Sequence, residues 1–166
     1  MSGHRCRPFS GESEPARLLI VGLGNPLMAD DGIGHAVVGR FVQRGPPVGV
    51  RVEALAGDIL GLAALWRSEA DVWLVDAVAG DSAAGSLQVL DHRELFGLPA
   101  EGLSAHQLSL GESLRWLVHG RPEMAAITFR LYGVEVGCLR PRVGLSPVVE
   151  EAVDRLVETL RVEASA

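Results

Sequence analysis

The stretch LLIVGLGNPLMADDGIG, residues 18–34, begins as an unbroken apolar run, turns on glycines and ends on two acids where a helix should open. Arg17 to Val21 lacks the polar alternation of a half-exposed strand, so it reads as a central strand buried on both faces. Gly22 and Gly24 then permit a sharp exit from that strand and a close approach of the next element. From Gly32 to Arg44, Ile33, Val37 and Phe41 recur every four residues with Ala36 alongside, and Gly45-Pro46-Pro47 ends the pattern. Strand, glycine turn and helix in that order open a β-α-β unit.

The rest of the chain continues the alternation. Val48 to Leu55 reads as a second strand, and Asp58 is placed to cap a helix running through Trp66. DVWLVDAV, Asp71 to Val78, is another buried-strand pattern in which the acid Asp76 is the anomaly. Gly80 to Gly85 is a turn. Ser86 to Leu90 follows too soon for a helical crossover, so it is expected to pair antiparallel at a sheet edge. His106 to Val118 returns to helical period with Leu110, Leu114, Leu117 and Val118 as its stripe, and Ala125 to Val134 supplies a last strand. Ser146 and Pro147 stand at the N-cap and first position of a C-terminal helix, where Val149, Val153, Leu156 and Leu160 keep helical spacing. The expected fold is a three-layer α/β/α sandwich. Its sheet is mostly parallel, of about five strands with one antiparallel edge strand, and sites are expected at the carboxyl ends of the strands.

Composition narrows the chemistry. With 166 residues, 48% of them hydrophobic, the chain suits one α/β domain over residues 17–166, preceded by a flexible tail over residues 1–16. A formal charge of −6 opposes nucleic-acid binding, which draws its affinity from clustered cations. All the basic residues are arginine, which excludes Schiff-base lysines, a Walker-type lysine and a Ser-Lys dyad. Cys6 and Cys138 lie far apart with no metal-ligand spacing, and no stretch approaches a membrane span, so a cytoplasmic protein is expected. No serine sits in a G-x-S-x-G elbow, and Cys138 has no sequence-linked histidine, so conventional nucleophilic proteolysis lacks a candidate.

The glycine turn admits three readings. A dinucleotide fingerprint needs G-x-G-x-x-G, but Leu27 occupies the third glycine position, and Asp30 and Asp31 would repel a pyrophosphate at the helix start. VGLGNP, residues 21–26, resembles the opening of peptidyl-tRNA hydrolases over those six residues. The whole stretch GLGNPLMADDGIG resembles the signature of hydrogenase maturation proteases, a strand followed by a G-x-G-N turn and a D-[DE]-x-x-G element. VDAV at residues 75–78, SAHQLSL at 104–110, LYGVEVG at 131–137 and GLSPVVEEAV at 144–153 continue that resemblance in order and spacing. After the second strand, Leu55-Ala56-Gly57-Asp58-Ile59-Leu60 departs from the family's G-G-T-x-G type segment.

The resemblance implies that Asp31, Asp76 and His106 are the metal-binding and catalytic positions, and that the metal is nickel carried by the substrate. Two carboxylates and an imidazole form a mixed oxygen and nitrogen set that suits nickel, with zinc or another divalent ion able to substitute, and leaves positions open. Each residue also has a plainer reading: Asp30 or Asp31 as a helix cap, Asp76 as a strand-end acceptor, His106 as a core histidine on the stripe of Leu110. Within the pair, Asp30 is given the capping role. Gly22, Gly24, Asn25 and Gly34 are assigned to the turn, with Asn25 expected to hydrogen-bond across it. His4, His35, His92 and His119 read as tail or surface residues, and Cys138 as a packed or loop thiol. The implied activity is an endopeptidase that removes the C-terminal extension of the nickel-loaded large-subunit precursor of a nickel-iron hydrogenase. The alternatives are a non-proteolytic accessory protein for that subunit, or a peptidyl-tRNA hydrolase.

Overall fold

The computed structural model describes residues 16–98 and 110–166. Most of the expected tail, and His106 to Ser109 of the helix expected over His106 to Val118, therefore lie outside the described residues.

Strand β1 (Leu18–Gly22) is buried at every position, as an unbroken apolar run requires when both sheet faces are covered. It pairs in parallel with β2 (Val50–Ala54) on one side and with β3 (Asp71–Val78) on the other. Strand β5 (Thr128–Glu135) adds in parallel to β3, and β4 (Leu87–Leu90) closes that edge antiparallel to β5. The order is β2-β1-β3-β5-β4, the mixed sheet expected from the sequence, with the antiparallel strand at its edge.

Helices cover both faces. Helix α1 (Ile33–Gln43) and helix α5 (Pro147–Ala164) lie on one face, where Val37, Phe41, Val153 and Leu156 pack on Ile20, Val75 and Tyr132. The opposite face is covered by α2 (Leu62–Leu65), α3 (His92–Phe96) and α4 (Leu110–Gly120), with Leu62, Leu95, Leu114 and Leu117 against Leu19, Leu74 and Phe129. Among the described residues, no helix is long and apolar enough to cross a membrane.

The structure adjusts several local expectations. Asp58 accepts from Leu60 N–H at 2.9 Å, but it opens a 3-10 turn (Ile59–Gly61) leading into a single α-turn, and Trp66 is already extended. Helix α3 is too short to show an apolar period. Its sequence signal is the acid pair Asp91 and Glu94, whose side chains and backbone N–H groups form a reciprocal capping box. His92 is partly buried, correcting the surface reading. Its Nδ1 accepts from Phe129 N–H at 3.2 Å and its ring stacks on Phe96 at 4.5 Å, partners that tertiary packing alone brings together.

The join between β1 and α1 leaves no room for side chains. A Cβ on Gly34 would meet Leu23 O at 2.2 Å, Leu23 N at 2.4 Å and Val75 O at 2.7 Å. Alanine gains about 1 kcal/mol over glycine in a helix, but backbone atoms cannot yield as a side chain can, and overpacking costs about 1–3 kcal/mol or more. Gly34→Ala is therefore expected to destabilise the protein by about 2 kcal/mol despite its better helix propensity, read as a lower melting temperature.

Glu69, 2% exposed, fastens β2 to the start of β3 by accepting from Arg51 Nε and from Arg67 N–H, each at 2.7 Å. Burial alone pushes its carboxyl up, but the Arg51 and Arg67 hydrogen bonds outweigh burial and hold it below the ordinary carboxylate range. A carboxyl lowered in the folded state stabilises above its unfolded value, and that contribution is lost as pH falls through the folded value. Glu69→Gln should therefore melt earlier than wild type at neutral pH, with the gap closing as melts are repeated into the acid range.

Candidate active site

Beyond the carboxyl ends of β1 and β3 the chain leaves the sheet in opposite directions, toward β2 on one side and toward the β5 and β4 edge on the other. Such switch points leave a cleft between the diverging connections. Of the two described acids of the expected ligand set, Asp31 lies on the connection that follows β1 and Asp76 near the end of β3 itself.

The first wall is the glycine turn. Beyond β1, Leu23 N–H donates to Val75 O at 2.8 Å, so the chain is still held to β3 as it turns. Gly24 takes a φ of +103°, and a Cβ there would lie 2.0 Å from the carbonyl oxygen of Asp31. Only glycine fits this position. Asn25 Oδ1 accepts from Leu27 N–H at 3.0 Å, closing a local turn, and Asn25 N–H donates to Asp31 Oδ2 at 2.8 Å. Asp31 sits within a 3-10 turn (Ala29–Gly32) that packs against β3, and the residue is 3% exposed.

The second wall is β3. Asp76 is also 3% exposed, and its Oδ1 accepts from Ala77 N–H at 2.9 Å. By the alternation of the strand, it shares the sheet face of Val72 and Leu74, which carries α4. Its register partner on β5 is Gly133, so no side chain stands beside it there. Asp31, on a turn packed against β3, and Asp76, near the end of β3, thus lie at the same end of the sheet. His106, the third expected ligand, lies outside the described residues, four positions before the start of α4 at Leu110. Among the described residues, no group of three His, Cys, Asp or Glu side chains is arranged to hold a metal ion.

Two neighbours escaped the sequence reading. Glu135, the last residue of β5, is 2% exposed and accepts from Gly80 N–H and, at 3.4 Å, from Gln88 Nε2. It pairs in register with Val78 and so shares the sheet face of Asp76. Its signal was the one that exposed Asp76, an acid near the end of a buried-strand pattern. His35 is not a surface residue: partly buried in the first turn of α1, it donates from Nε2 to the carbonyl oxygen of Gly24 at 3.1 Å. Helical spacing places it beside the turn, but only the fold of that turn supplies the acceptor.

Asp30 departs from its expected role. The 3-10 turn has no side-chain cap, and Asp30 instead faces inward, where it accepts from Ser146 N–H at 2.6 Å, Ser146 Oγ at 3.0 Å and Cys138 N–H at 3.1 Å. Ser146 does occupy the N-cap of α5 with Pro147 next, but its hydroxyl is directed to Asp30 and makes no cap bond. Cys138 is a partly buried loop thiol.

The family model for hydrogenase maturation proteases matches residues 59–163, which include Asp76 and His106 and leave Asp31 outside the match. The Hydrogenase 2 maturation protease of Escherichia coli (strain K12) is 30% identical over 145 residues, covering 86% of this chain and 87% of that protein. Among solved structures, the fold matches the [NiFe] hydrogenase maturation protease HybD from Thermococcus kodakarensis with a TM-score of 0.77 at 27% identity, covering 89% of this chain and 99% of that one. It also matches the hydrogenase maturating endopeptidase HybD from E. coli with a TM-score of 0.70 at 28% identity, covering 89% and 93%.

The turn geometry has a direct test. Gly24→Ala must move the Asp31 carbonyl, which loosens the hydrogen bond from Asn25 N–H to the Asp31 carboxylate. Amide exchange at Asn25 is expected to accelerate about tenfold, the equivalent of about 1.4 kcal/mol from one charge-assisted bond. Unchanged exchange would show that the turn does not depend on that glycine.

Proposed function

The chain belongs to the hydrogenase maturation protease family, and from that membership we propose that it is the endopeptidase that removes the C-terminal extension from the large-subunit precursor of a nickel-iron hydrogenase once nickel is in place. The observation that supports the proposal is that Asp31 and Asp76 are both buried, Asp31 on the turn that packs on β3 and Asp76 near the end of β3 itself. His106 completes the set in this reading, giving two oxygen donors and one nitrogen donor suited to nickel, with zinc or another divalent ion able to substitute.

Nickel is part of the substrate here. Asp31, Asp76 and His106 engage the ion already held by the precursor, so the nickel acts as the recognition signal. The ion aligns the adjacent peptide bond and polarises its carbonyl or a water, and one carboxylate takes the proton as water is added across the bond. The amine of the released extension leaves with a proton. We place the reaction in the cytoplasm, with neither nucleic acid nor membrane as a partner.

Incubation with nickel-loaded precursor, followed by subunit mass measurement, should show loss of the C-terminal extension. Asp31→Ala, Asp76→Ala and His106→Ala should each abolish processing while circular dichroism shows the fold retained. An intact extension in a stable complex with the wild-type protein would instead indicate an accessory role, and wild-type processing by all three variants would refute the residue assignment.

A further inference from the structure

We infer that Asp30 is a positioning residue: it bolts the segment after β5 to the turn carrying Asp31, so that the turn and this segment hold one geometry. This rests on the proposed reaction. Asp30 is fully buried, at 0% exposure, and its carboxylate takes three donors from the far end of the chain: Ser146 N–H at 2.6 Å, Ser146 Oγ at 3.0 Å and Cys138 N–H at 3.1 Å. Its own N–H donates to Cys138 O at 3.2 Å. The backbones on either side are joined as well. Arg142 N–H donates to Leu27 O at 3.0 Å, Ala29 N–H donates to Arg142 O at 2.7 Å, and Met28 and Arg142 form a parallel bridge.

These contacts meet at a strained point. Ala29 takes a φ of +50°, a left-handed conformation that a residue with a Cβ adopts only when its surroundings impose it. Ala29 opens the 3-10 turn and Asp31 stands two residues later, its N–H donating to Met28 O at 3.2 Å. The geometry of Asp31 therefore depends on a backbone held in place by residues more than 100 positions away. A cap for the turn would accept from within it, whereas every side-chain bond of Asp30 crosses to residues 138–146.

The chemistry requires a carboxylate. Backbone N–H groups approach both oxygens, Ser146 at Oδ1 and Cys138 at Oδ2. A carboxamide has the same shape but must turn its NH2 toward one of them, so Asp30→Asn breaks one side of the clamp without opening a cavity.

Steady-state processing of nickel-loaded precursor and amide exchange, measured on the same variants, test the role. Asp30→Asn should lower kcat by about 10- to 100-fold with KM nearly unchanged, as small misplacements of a reacting group do. Exchange should accelerate in residues 27–32 and 138–146 while α1 and β3 keep their protection. Ser146→Ala should cost less, Ser146→Thr should restore processing, and Asp30→Asn combined with Ser146→Ala should be no worse than Asp30→Asn alone, because both act through one contact. Wild-type kcat in Asp30→Asn, a loss confined to KM, or unchanged exchange in both segments would overturn the inference. If the wild-type protein leaves the precursor uncut, the proposed function falls, and the exchange measurements still decide whether the clamp exists.

Discussion

The structure depends on a backbone contact with no side chains in it. Where α1 begins, a Cβ on Gly22 would lie 2.1 Å from Gly34 O, and one on Gly34 would lie 2.7 Å from Val75 O. The helix therefore sits directly over the ends of β1 and β3, closer than any pair of side chains would allow. That proximity shortens the connection. The chain must leave β1, reverse and enter the helix within the residues from Leu23 to Gly32, and it does so by a left-handed glycine, an asparagine turn and a 3-10 turn. A longer loop would carry the acids away from β3. The glycine contact keeps them at the strand ends.

Two consecutive aspartates leave that turn for different tasks. Successive side chains in a 3-10 turn point about 120° apart, so the two acids of a buried pair face different surroundings. Asp31 folds back on the glycine turn to accept from Asn25 N–H, while Asp30 looks inward and takes donors from Cys138 and Ser146. The turn is thus held from its own side and from the segment leading to α5. Asp76 is placed differently: its backbone is paired in register with Gly133 of β5, one residue beyond the last β1 pair, Gly22 with Val75.

Elements set by local pattern were legible in the sequence, and contacts between distant segments were not. β3 occupies the expected residues, a mostly buried apolar run that ends at the glycine turn after Val78, and α5 begins where Ser146 and Pro147 predict. The edge position of β4 followed from the short link to β3, which cannot hold a crossover helix. Helix α3 was illegible to periodicity at five residues, although its capping box was readable. His35 and His92 looked like surface residues because their acceptor and donor, Gly24 O and Phe129 N–H, belong to other elements. Asp30 is the sharpest case. Its position beside Asp31 at a helix start matches a cap, and nothing in the local sequence points to a partner at Ser146.

The pairing of a rigid turn with a sparse set of donors has a chemical consequence under the proposed reaction. Two carboxylates and one imidazole leave coordination positions open on a metal ion. An ion held by another protein can then meet this site while keeping part of its own ligand shell, whereas a fourth donor on this chain would compete for the ion. Discrimination in such a site comes from geometry more than from affinity, since affinity alone follows the metal and not its carrier. The donors must therefore stand at fixed separations before the substrate arrives, because ordering them on contact would use the binding free energy that selects the loaded precursor. The close glycine contact, the Asn25 bond to Asp31 and the Asp30 clamp restrict the turn in advance, which is what selection by geometry demands.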